Sequence, residues 1–98
     1  MDIEKIIEGT AMKLTLKGRL DTVTAPDLEE FISIGLDGIT ELTMDFEELE
    51  YISSAGLRVL LTAHNTMSEQ GSMTVTNVNE EILEIFEITG FDDFLNIE

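Results

Sequence analysis

The chain has 98 residues, 43% of them hydrophobic, and sets five basic residues against 21 acidic ones for a formal net charge of −16. That length supports one domain around one core, spanning residues 1–98, and the hydrophobic share belongs to a folded globular protein. Such an excess of negative charge is repelled by phosphate backbones and anionic lipid, so no nucleic acid and no membrane is expected as a partner.

A protein with a basic docking face would instead be steered toward this chain. Cysteine is absent, which removes disulfides, thiolate catalysis and cysteine-based metal sites, and fits a reducing compartment. The opening residues Met1-Asp2-Ile3-Glu4-Lys5 lack the pattern of a signal peptide, and no apolar run approaches a membrane span. The expected location is cytoplasmic.

In chain order, a strand around Ile3–Ile7 and the alternating Met12-Lys13-Leu14-Thr15-Leu16 form a hairpin about Gly9-Thr10, closed on its far side by Gly18-Arg19-Leu20-Asp21. A helix follows, with Thr24 as its cap, Asp27 three residues on, and Pro26 tolerated in the first turn. Leu28, Phe31, Ile32 and Leu36 recur at helical spacing, and Gly38 ends the run. Leu42, Met44 and Phe46 alternate as a strand, and Glu47-Glu48-Leu49-Glu50 reads as an acidic turn.

A second helix is expected over Ser54–Gln70, with Leu57, Leu60, Leu61 and Met67 on its packed face and Gly71 as its stop. Ser72–Thr76 is a short strand carrying Met73 and Val75. Asn79 caps a third helix holding Ile82, Ile85 and Phe86, closed by Thr89-Gly90, and Phe94–Ile97 offers an edge strand. The order ββαβαβα, with a last β, predicts a mixed, mostly parallel α/β sheet with its helices mainly on one face.

Catalysis finds little support. Ser53 and Ser54 follow a strand, but the sole histidine, His64, lies ten residues past Ser54 on the same helix, about 15 Å along its axis. A serine–histidine pair needs about 3 Å. His64 falls inside the apolar stripe and reads as a half-buried packing residue. No calcium-loop spacing, histidine pair or phosphate-cradling glycine run occurs, so no metal and no cofactor is expected.

The informative segment is Asp45-Phe46-Glu47-Glu48-Leu49-Glu50-Tyr51-Ile52-Ser53-Ser54-Ala55-Gly56-Leu57-Arg58. It puts a serine pair at a helix N-terminus, where unpaired N–H groups and the helix dipole favour a phosphate. Ala55 and Gly56 leave room for a partner, and Arg58, four residues past Ser54, can reach a phosphate there. The same residues also read as an ordinary serine N-cap worth about 1 kcal/mol.

This segment resembles the signature of the STAS domains, the family of sulphate transporters and anti-sigma-factor antagonists. Gly18-Arg19-Leu20-Asp21-Thr22-Val23-Thr24-Ala25-Pro26 is similar to the family's first-loop motif, and Ile88-Thr89-Gly90-Phe91 to its last-helix ending. The resemblance implies a single STAS domain acting by binding, not catalysis. Its partners would be an anti-sigma factor with serine kinase activity and a serine phosphatase, with Ser54 as the phosphorylated residue.

Asp21 matches a family acidic residue near that serine, and Asp45 matches the Asp closing the preceding strand. Many phosphorylated members carry Asp just before the target serine; here Ser53 stands there and is a second candidate. The implied partner-binding surface is Asp21, Thr22, Ser53, Ala55, Gly56, Leu57 and Arg58. An alternative within the family is a non-phosphorylated regulatory subunit of a transport or lipid-trafficking complex.

Overall fold

The alternation in Met12–Leu16 does build a strand, and the computed structural model, which describes residues Met1–Glu98, shows how the rest of the chain organises around it. Strands β1 (Asp2–Glu8) and β2 (Ala11–Leu20) form the expected antiparallel hairpin, with Ile3 opposite Leu16 and Ile7 opposite Met12. Then come α1 (Ala25–Gly35), β3 (Glu41–Ile52), α2 (Ser54–Gln70), β4 (Ser72–Thr76), α3 (Glu80–Thr89), a 3-10 turn at Phe91–Asp93, and β5 (Asn96–Ile97).

Strand order across the sheet is chain order, β1-β2-β3-β4-β5, and every pair after the first is parallel. Right-handed crossovers that always step the same way pass over the same face of the sheet. All three helices therefore share one side. Between them and the sheet lie Leu14, Leu16, Leu42, Met44, Phe46 and Val75 from the strands, with Leu28, Leu60, Met67, Ile82 and Phe86 from the helices, all essentially without exposure. Each such side chain contributes about 1.5–3 kcal/mol relative to water.

The opposite face is polar, with Thr15, Thr43 and Thr74 half-exposed. There Lys17 meets Glu4 at 3.2 Å and Glu48 at 3.4 Å. Exposed pairs of this kind add little stability.

Several boundaries differ from expectation. Glu47–Glu50 is not a turn: β3 runs through it, and β2 likewise continues through Gly18 to Leu20 instead of turning there. The cause is a pair of register shifts. Thr15 pairs with Asp45 but Lys17 with Glu48, and Gly18 pairs with Leu49 but Arg19 with Tyr51. Each shift gives β3 one extra residue, so Glu47-Glu48 and Glu50-Tyr51 both face outward while Leu49 and Ile52 still turn in.

Helix α1 ends at Gly35, before Gly38, and Thr24 makes no side-chain capping bond to it. In α2 the packed stripe is Leu57, Leu60, Ala63 and Met67, whereas Leu61, expected there, is 40% exposed. The last strand is only Asn96–Ile97, with Leu95 buried just before it.

The expected stops of α2 and α3 are present. Gly71 donates its N–H to the Met67 carbonyl at 2.7 Å, and a Cβ at Gly71 would overlap the backbone of Thr40. Asn79 accepts from the Ile82 N–H at 2.9 Å and donates to the Leu49 carbonyl at 3.0 Å, so one side chain caps α3 and ties it to β3. Gly90 closes α3 at φ +80°, the left-handed conformation glycine adopts without strain.

Candidate functional site at the start of helix α2

The serine pair resolves into two unlike residues. Ser53 is the N-cap: its backbone is extended, and its Oγ accepts the Gly56 N–H at 3.3 Å. Its N–H donates to the Leu20 carbonyl at 2.9 Å, and its carbonyl accepts the Leu57 N–H at 2.9 Å. Every polar group of Ser53 is thus engaged in joining β2, β3 and α2. Ser54 is the first residue of the helix and is exposed, with its hydroxyl free of bonds within the chain. Aspartate and serine both rank among the best N-caps. A serine at position 53 therefore does the structural work that an aspartate would do there.

Gly56 and Leu57 face inward. Leu57 is 8% exposed, and a Cβ on Gly56 would lie 2.7 Å from Leu20 Cγ and 2.9 Å from Ile52 Cγ1. The smallness of Gly56 seats the first turn of α2 on the ends of β2 and β3, and no space for an outside partner opens there. Ala55 is half-buried. The exposed part of the expected partner surface is therefore Thr22 and Arg58, with Asp21, Ser53 and Ala55 at its edge, and the exposed Ser54, expected as the phosphorylated residue, lies beside them.

Beside Ser53 runs the loop from β2 to α1, and Asp21 organises it. Asp21 Oδ1 accepts the Val23 N–H at 3.0 Å and the Thr24 N–H at 3.1 Å, and the Asp21 carbonyl accepts the Ala25 N–H at 2.8 Å. The Thr24 hydroxyl donates to the Arg19 carbonyl at 2.7 Å and accepts from the Asp21 N–H at 2.9 Å. The Thr24 N–H, with smaller contributions from its hydroxyl, the Val23 N–H and Arg19, holds the Asp21 carboxyl below its ordinary pKa despite the opposing effect of burial. Arg19 Nε stands 3.9 Å from Asp21 Oδ2, and its guanidinium lies 4.3 Å from the centre of the Tyr51 ring.

Arg58 is exposed and forms no ion pair, unlike Lys13, Lys17 and Arg19. Residues 51–68 include no Asp or Glu, so the first turns of α2 carry no acidic side chain of their own, and the Asp21 carboxylate of the neighbouring loop is turned onto the N–H groups of that loop.

Two other expected features lie apart from this site. Asp45 is seven residues before Ile52 on β3, about 23 Å away along an extended strand. It accepts from Asn77 Nδ2 and the Glu47 N–H, both at 3.0 Å, and lies 3.8 Å from Lys13 Nζ. His64 is half-buried, its ring centre 4.8 Å from that of Phe94. With α2 continuous from Ser54 to Gln70, the ten-residue separation of Ser54 from His64 rules out a serine–histidine dyad.

Sequence reasoning missed Arg19 and Val23. The Arg19–Tyr51 contact depends on the second register shift, which leaves no trace in the hydrophobic pattern. Val23, 82% exposed, could have been noticed as an apolar residue in a loop of threonines.

The STAS domain family profile matches residues 2–98. BtrV of Bordetella bronchiseptica, a candidate anti-sigma factor antagonist, is 37% identical over 78 residues, covering 78% of this chain and 67% of that protein. The anti-sigma-B factor antagonist of Staphylococcus aureus is 25% identical over 99 residues, covering 99% of this chain and 92% of its own. Among solved structures, the phosphorylated form of the Bacillus cell fate determinant SpoIIAA superposes with a TM-score of 0.76 at 18% identity, covering 99% of this chain and 91% of that one. A profile matched along nearly the whole length leaves one assignment: the chain belongs to the STAS domain family.

Proposed function

We propose that this protein is an anti-sigma-factor antagonist. Unphosphorylated, it docks through the start of α2 and the Asp21–Thr24 loop onto an anti-sigma factor that is itself a serine kinase. Phosphorylation of Ser54 ends the complex and a separate serine phosphatase restores it. The protein acts in the cytoplasm as a binding module, without catalysis or cofactor of its own. The names of its relatives support the antagonist role.

The observation that carries the choice of residue is the division of labour in the serine pair. The hydroxyl of Ser53 is committed to the Gly56 N–H, whereas that of Ser54 is exposed and free. A phosphate on Ser54 adds about −1.5 to −2 charge at a helix N-terminus, where the dipole and free N–H groups stabilise it. Arg58 one turn on, with no competing carboxylate, stabilises it further. The domain accordingly keeps its fold, and the complex is lost through bulk and repulsion at the docked face.

The test is binding of the wild type and of Ser54→Asp, Ser54→Ala and Ser53→Ala variants to the serine-kinase anti-sigma factor of the same genome, with and without ATP. Mass spectrometry of the protein from its own host accompanies it. Loss of binding in Ser54→Asp, ATP-insensitive binding in Ser54→Ala, and phosphate on Ser54 alone are the expected results. Wild-type behaviour of both Ser54 variants, with ATP present, would remove the switch from this residue. Constitutive association with a transporter ATPase and no phosphate would place the protein in a transport or lipid-trafficking complex instead.

A further inference from the structure

Val23 stands just before the α1 cap, where a hydrophobic residue ordinarily packs down on the fourth helical residue, here Leu28. Leu28 is fully buried, yet Val23 is 82% exposed. The valine therefore buries little surface in the fold. It is not on a loose segment, because its N–H is held by Asp21 Oδ1 at 3.0 Å and the next N–H by the same oxygen at 3.1 Å. A β-branched side chain has few rotamers to lose on binding. The loop thus presents an apolar group already fixed in place, the property that makes a side chain efficient at an interface.

Its position ties it to the serine switch. Leu20, at the root of the loop, bonds through its carbonyl to the Ser53 N–H at 2.9 Å, so the root of the loop is tied to the start of α2. The other strongly exposed aliphatic residues differ. Ile34, 72% exposed, and Ile88, 77% exposed, lie near the C-terminal ends of α1 and α3. Helices that follow parallel strands begin at one end of the sheet and finish at the other, so both residues sit at the end opposite Ser54.

We infer that Val23 is the apolar anchor of the docking face, seated in an apolar socket on the anti-sigma factor. This rests on the docking proposed above and adds the residue that sets the affinity of that contact.

The test measures dissociation constants with the serine-kinase anti-sigma factor of the same genome for Val23→Thr, Val23→Ile, Ile88→Thr and Ser54→Asp. Val23→Thr keeps the shape and loses the apolar methyl; about tenfold weaker binding is expected, mainly through faster dissociation, with the melting temperature unchanged. Val23→Ile should stay near wild type, and Ile88→Thr should bind as the wild type does. If Val23→Thr binds as tightly as wild type while Ser54→Asp does not bind, the anchor is refuted and the docking face stands. A parallel fall in melting temperature would make Val23 a structural residue and refute it too. If the wild type binds no such kinase, the anchor and the docking proposal fall together.

Discussion

Replacing Gly56 with alanine should destabilise the domain where helix α2 meets the ends of β2 and β3. The new Cβ would stand 2.7 Å from Leu20 Cγ, 2.9 Å from Ile52 Cγ1 and 3.0 Å from the Leu20 carbonyl oxygen, well inside the ~3.5–4.0 Å at which carbon contacts are favourable. Neither neighbour can retreat easily: Leu20 is 0% exposed and Ile52 2%, and the Leu20 carbonyl is held by the Ser53 N–H at 2.9 Å. Overpacking of this kind costs about 1–3 kcal/mol. Alanine's better helix propensity offsets up to about 1 kcal/mol of that. With three atoms inside contact distance, the overpacking cost falls in the upper part of its range, about 2–3 kcal/mol. That leaves a net loss of about 1–2 kcal/mol, which lowers the melting temperature of a domain this size by about 5–15 °C. Thermal and urea unfolding followed by circular dichroism would measure it, with an unchanged urea slope showing that the change lies in the native contact. A melting temperature equal to or above wild type would refute the reasoning. It would mean that Leu20 and Ile52 give way to the added methyl at little cost.

The serine pair should also separate in stability, with Ser53→Ala costing about 1 kcal/mol through loss of the cap and Ser54→Ala close to nothing, both read from urea midpoints. Asn79→Ala should cost about 1–2 kcal/mol, since it removes the α3 cap and leaves the Leu49 carbonyl without its donor. Burial raises the Asp45 carboxyl, but the Asn77 amide, the Glu47 N–H and Lys13 outweigh it and hold the pKa below its ordinary 3.8. A depressed pKa gives stability that is present above that value and lost as pH falls through the lower native one. Asp45→Asn should therefore lose less stability than wild type on going below about pH 4, as urea titrations at several pH values would show. With a net charge of −16, added salt should raise the melting temperature by screening self-repulsion, most steeply below about 0.15 M.

Much of this molecule was legible because local and global signals agree. Met12, Leu14 and Leu16 alternate because one face of β2 is buried and the other is wet, and Asn79 and Gly90 bound α3 as cap and stop. What stayed hidden depended on the partner strand. Glu47-Glu48 breaks the alternation of β3, and nothing local distinguishes a turn from a strand whose register slips against its neighbour. Likewise, whether Ser53 or Ser54 caps α2 depends on where the β3 backbone leaves the sheet. The inward facing of Gly56 depends on Leu20, 36 residues earlier. Leu61 was misplaced because a helical wheel shows which residues share a stripe, and only the sheet beneath decides where the stripe is centred.

The agreement of strand order with chain order has a consequence for how the domain is made. Each strand pairs only with strands adjacent in sequence, so no early segment has to wait for a distant one to complete its ladder. Synthesis from the N-terminus can then lay the sheet down strand by strand. The bond between the Leu20 carbonyl and the Ser53 N–H uses only the first 53 residues. The end of the sheet that carries the serine pair can therefore be assembled while α3 is still being synthesised, and the later elements close the core behind it.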